Sequence, residues 1–99
     1  MLIGIPRETR PGETRVAATP ETVRKITSSG KHAVVVESGA GVASSVPDAA
    51  YEAAGARIGS AVDALGADLV LKVRAPAADE LARLKRDAVL IGLLLPAVQ

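Results

Sequence analysis

Ninety-nine residues with a formal charge of +1 make room for one domain and one modest core, with nothing left over for a second cofactor domain. Hydrophobic residues make up 48% and charged residues 23%, a globular composition, and Tyr51 as the only aromatic makes the core aliphatic. The absence of cysteine excludes disulfides, thiolate zinc sites and a cysteine nucleophile, and the near-neutral charge gives no reason to invoke nucleic acid or an anionic membrane.

In chain order, Leu2 to Ile5 is a short apolar run closed by Pro6 and reads as a strand. A polar loop with a Pro11-Gly12 turn leads to Thr19-Pro20-Glu21, which opens a helix: a capping hydroxyl, a proline suited to the first position and an acid at the positive end of the dipole. Val23 and Ile26 share its inner face and Gly30 closes it. Ala33 to Val36 is continuous and β-branched, as in a strand covered on both faces. A glycine-rich loop, Ser38 to Ser45, precedes a short helix from about Pro47 to Ala54, ended by Gly55. Ser60 and Asp63 form a capping box with aspartate in the acidic place. Leu69 to Leu71 is a further strand with Lys72 at its carboxyl end, Asp79 to Leu84 a helix with Leu81 and Leu84 on one face, and Val89 to Leu95 the last strand. Strands alternating with helices predict an α/β fold: an open parallel sheet with helices on both faces, three layers, flavodoxin-like or Rossmann-like.

No stretch approaches the ~20 apolar residues of a membrane span, and Pro6-Arg7-Glu8 interrupts any secretory signal, so a soluble cytoplasmic piece is expected. Gly39-Ala40-Gly41-Val42-Ala43-Ser44 follows a strand and imitates a dinucleotide fingerprint. Yet the third glycine is Ser44, and Pro47 disfavours helix where the fingerprint needs one, so a structural turn is the reading. His32 is the single histidine, without a neighbouring acid to orient it or a second histidine to share a metal, and reads as a solvated loop residue. Arg83, Lys85 and Arg86 beside Asp87 read as a solvated helix end, and no aromatic platform supports single-strand binding.

Arg15 and Lys72 remain as candidates. Arg15 precedes an apolar run entering a helix, and Lys72 ends a parallel strand, on the side where open α/β sheets bind ligands. Together they can hold a small anion, or a carboxylate and its adjacent carbonyl; equally, they read as ordinary surface cations. No metal, catalytic or cofactor-binding residue is assigned.

Ile3-Gly4-Ile5-Pro6-Arg7-Glu8 and Glu13 to Pro20 resemble the opening of the alpha subunit of proton-translocating NAD(P) transhydrogenase and, more loosely, of alanine dehydrogenase. Val36 to Gly41, Pro47-Asp48 with Tyr51, Ala54-Gly55-Ala56, Leu71-Lys72-Val73 and Ala75-Pro76 continue the resemblance in order across essentially all of the chain. It implies that residues 1–99 are the amino-terminal lobe, incomplete, with the dinucleotide-binding lobe absent. It further implies hydride transfer from NADH to NADP⁺, with NAD held mainly by that other lobe and NADP on a partner component. Partners are then the membrane and NADP-binding components, with a homodimer in the full protein, peripheral on the cytoplasmic face of the bacterial inner membrane. Arg15 and Lys72 match the residues that hold the pyruvate carboxylate and carbonyl in alanine dehydrogenase, and in a transhydrogenase they are expected as cleft-lining or structural cations. Leu95 stands where alanine dehydrogenases carry a catalytic histidine. The alternatives are an alanine-dehydrogenase-like oxidoreductase acting on pyruvate and alanine, and a stand-alone α/β interaction module. The chain alone is expected to bind NADH very weakly.

Overall fold

The computed structural model describes residues 1–92. Strand and helix alternate as β1 (Leu2–Ile5), α1 (Pro20–Thr27), β2 (Ala33–Glu37), α2 (Asp48–Ala53), β3 (Arg57–Gly59), α3 (Ala61–Leu65), β4 (Leu69–Lys72), α4 (Ala78–Leu81) and β5 (Val89–Gly92). Every neighbouring pair is parallel, in the order β3-β2-β1-β4-β5. The chain winds outward from β1 to β3, then crosses back to lay β4 on the far side of β1, which is the Rossmann-like order and not the flavodoxin-like one.

Strand alternation sorts the core into two layers. On one face Ile3, Ile5, Val34 and Val36 pack against Val23 of α1 and against Tyr51 and Ala54 of α2, with Leu69 and Leu71 alongside. On the other, Leu2, Val70 and Leu90 meet Leu65, Ala67 and Leu84. Gly4 faces α3: a Cβ there would stand 1.9 Å from the Ala64 carbonyl oxygen, so the helix rests on bare strand backbone.

The local signals act as expected at the helix starts. The Thr19 hydroxyl accepts from the Thr22 amide ahead of Pro20, and Ser60 and Asp63 exchange both bonds of their box. Two elements differ from the sequence reading. β3 forms where no strand is expected, because β2 offers an unpaired edge to Arg57–Gly59. The helix expected over 79–84 forms over 78–81, with Leu81 exposed and only Leu84 packed against the core. Its inward position belongs to Glu80, drawn to a buried cation at the end of β4. The last strand is seen as Val89–Gly92, and residues 93–95 of the expected strand lie outside the described residues.

Candidate functional site: an ionic cleft at the carboxyl edge of the sheet

Parallel pairing brings the ends of β1, β2 and β4 to one side of the molecule, with the change of winding direction between β1 and β4. A cleft of about 180 Å³ opens there. Arg7, Glu8, Glu13 and Arg15, from the loop after β1, form its charged wall. The glycine-rich loop supplies the other wall through Gly39, Ala40, Val42 and Ala43.

That second wall is a self-contained turn. Gly39 takes φ +83°, and the Asp48 carboxylate accepts from the Gly39 amide at 2.9 Å and the Ser38 hydroxyl at 3.0 Å. A Cβ on Gly41 would lie 2.8 Å from the Tyr51 ring. A single 3-10 turn follows, Ser45 adopts a left-handed conformation, and α2 starts only after Pro47. No helix start stands directly behind the glycines, so the loop lacks the amide cradle that a pyrophosphate requires. Glu37, at the end of β2, spends one oxygen on the Arg7 amide at 2.9 Å.

On the charged wall, the Glu13 carboxylate accepts from Arg15 Nε and Nη2, each at 2.9 Å, from the Arg15 amide at 2.9 Å and from Arg74 Nε at 2.8 Å. The two guanidinium groups, Arg15 first, hold the Glu13 carboxyl far below the usual carboxylate range, and Glu13 in turn raises Arg15. Glu8 accepts from the amides of Val73 at 2.8 Å and Arg74 at 3.2 Å, and pairs with Lys72 Nζ at 3.2 Å. Lys72 Nζ also donates to Glu80 at 3.2 Å, whose other oxygen receives the Ala77 amide at 2.9 Å. Each carboxylate around the sheet edge therefore has a cation or amide to hold, which is the condition for burying it.

Of the two residues singled out from the sequence, Arg15 lines the cleft, whereas Lys72 is 1% exposed and lies behind Glu8. A chain of contacts links them: Lys72 pairs with Glu8, Glu8 accepts from the Arg74 amide, and the Arg74 side chain shares Glu13 with Arg15. Sequence reasoning missed Glu8, Glu13, Arg74 and Glu80. One signal pointed to the acids: a lysine ending a buried strand must find a carboxylate. His32 is exposed and precedes β2, so about 16 Å of strand separates it from the cleft. In the basic cluster, Lys85 pairs with Asp68 while Arg83 and Arg86 are exposed.

The strand order defines a Rossmann-like α/β domain, and the cleft lies at the carboxyl edge of its sheet, the side on which open α/β sheets bind ligands. Residues 4–99 match the family "Alanine dehydrogenase/PNT, N-terminal domain", and the chain belongs to that family, the one its motifs resemble. It is 44% identical over 94 residues to the NAD(P) transhydrogenase subunit alpha of Haemophilus influenzae, covering 95% of this chain and 18% of that protein. Alanine dehydrogenase 1 of Staphylococcus aureus is 43% identical over 94 residues, covering 95% of this chain and 25% of that one. Among solved structures, a transhydrogenase from Sinorhizobium meliloti superposes with a TM-score of 0.88 at 46% identity, over 95% of this chain and 28% of that one. An L-alanine dehydrogenase gives 0.83 at 34% identity, over 91% and 25%. The chain thus spans between 18% and 28% of the length of these relatives, all oxidoreductases.

Proposed function

We propose that this domain is the amino-terminal part of the NAD(H)-binding component of a proton-translocating transhydrogenase, passing hydride from NADH to NADP⁺. NAD is held mainly by another lobe of that protein, because the glycine-rich turn here lacks a helix start behind it. NADP sits on a partner component, and a membrane component couples the reaction to proton movement. The full protein is a homodimer, peripheral on the cytoplasmic face of the inner membrane through those partners.

One observation carries the choice between the two kinds of relative: among the described residues no histidine lines the cleft. Leu95 occupies the position where alanine dehydrogenases are expected to carry their proton-transferring histidine, and it lies outside the described residues. His32 sits at the opposite end of β2. Hydride exchange between two nicotinamides needs no proton donor on the substrate, whereas reductive amination of an oxo acid does. The second reading, an alanine-dehydrogenase-like oxidoreductase using Arg15 and Lys72 on pyruvate, is favoured by the 43% identity to alanine dehydrogenase 1.

Two assays on the full-length protein separate them: NADH-dependent reduction of an NADP analogue with the partner components present, and turnover of pyruvate with ammonia. Each is repeated on Arg15→Ala. Lys72 is unsuitable for this purpose, since its removal strands Glu8 and Glu80 and costs about 3–5 kcal/mol of folding energy. A transhydrogenase should transfer hydride to the NADP analogue and change less than about tenfold in Arg15→Ala, ~1.4 kcal/mol. Pyruvate turnover that falls more than about a hundredfold in the variant would overturn the proposal.

A further inference from the structure

We propose that Glu13 is a positioning residue, which fixes the Arg15 guanidinium against the cleft so that its free edge meets an oxygen of the nicotinamide nucleotide. This rests on the transhydrogenase reading above. The arrangement is inverted relative to an ordinary surface pair: the Glu13 side chain is 4% exposed, while those of Arg15 and Arg74 around it are 45% and 50% exposed. Only Thr14 separates Glu13 from Arg15, yet the carboxylate takes Nε, Nη2 and the backbone amide of Arg15 together. That chelate sets the plane of the guanidinium, which a solvated arginine would leave to rotate.

An arginine side chain has five N–H groups. Glu13 takes one on Nε and one on Nη2, and no other described residue takes the remaining three. They belong to a side chain lining the cleft, opposite the uncharged wall of the glycine-rich loop. The Arg74 bond to the same carboxylate supplies the second anchor, because Arg74 lies two residues past the end of β4. Glu13 therefore refers Arg15 to both sides of the point where the sheet changes winding direction. A carboxamide or phosphate oxygen is the acceptor that three such donors suit.

The test is a mutant cycle in the full-length protein with its partner components, following KM for NADH, kcat and the thermal midpoint. Glu13→Gln keeps the shape and removes the charge; Arg15→Lys keeps the charge and removes the fork. Each single variant should raise KM about fivefold with kcat within about twofold, and the double variant should be no worse than Arg15→Lys alone. Glu13→Asp should recover part of the loss. Arg74→Met, which removes the second anchor but leaves the Arg15 fork in place, should raise KM by less than Glu13→Gln does. An unchanged KM in Glu13→Gln, or losses that multiply in the double variant, would overturn the assignment. If the wild-type protein turns over pyruvate and not the NADP analogue, the transhydrogenase reading fails, and the same cycle read on KM for pyruvate then decides the role of Glu13.

Discussion

Tyr51 is the single aromatic residue and the largest fully buried side chain described, and its hydroxyl donates to the Ala18 carbonyl at 2.7 Å. Tyr51→Phe keeps the ring and leaves that carbonyl unpaired in the core, which should cost about 1–2 kcal/mol in urea unfolding. Burial pushes the Tyr51 phenol up from its ordinary 10.0. A folded-state value above the unfolded one means that the associated stability is complete below pH 10 and declines as the pH rises beyond it. Tyr51→Phe should therefore show a flatter alkaline limb than the parent. Gly4→Ala is the harsher test of packing. With a Cβ 1.9 Å from the Ala64 oxygen, α3 must lift from β1, and about 3 kcal/mol should be lost. Neither role was read from the sequence, because both depend on partners far along the chain. Tyr51 finds its partner 33 residues away, and the demand on Gly4 comes from a helix sixty residues away.

At the scale of elements, local causes separate from distant ones. The starts of α1 and α3 were legible because hydroxyl, proline and acid all lie within one helical turn of the amides they satisfy. Ser60→Ala should cost about 1 kcal/mol, measured by urea unfolding at neutral pH. Hydrogen bonds from Ser60, followed by the charge of Arg57, lower the Asp63 carboxyl from its ordinary 3.8. A lowered folded-state value contributes stability that is present above pH 3.8 and is lost on acidification below it. Asp63→Asn should accordingly be less stable at neutral pH and show less further loss between pH 5 and 2. β3 was not legible, since Arg57-Ile58-Gly59 carries one apolar side chain and becomes a strand only by register with Val35 to Glu37. The candidate site was half legible for a related reason. The position of Lys72 at a strand end marked it, but Glu8 and Glu13 lie about sixty residues from Val73 and Arg74. Only the adjacency of β1 and β4 brings them together.

The whole molecule has two unlike sheet edges among its described residues. β3 is three residues long with Arg57 exposed, a blunt edge of the kind that resists pairing. β5 presents four residues, with Val89 52% and Ile91 42% exposed. Register places Val89 beside Leu69 and Ile91 beside Leu71, so all four aliphatic residues share one face of the sheet. α1 and α2 pack over the β1–β3 side of that face, leaving Val89 and Ile91 to water. An uncovered aliphatic strip beside an open strand edge drives association, and a chain of this size has little stability in reserve. The 99-residue chain should therefore sediment with a concentration-dependent mass and melt below about 65 °C. Ile91→Lys sets a charge in the exposed strip without touching the cleft and should shift the equilibrium toward monomer. A parent chain that stays monomeric at every concentration, or an Ile91→Lys variant that associates as strongly, would show that the strip is not the adhesive surface.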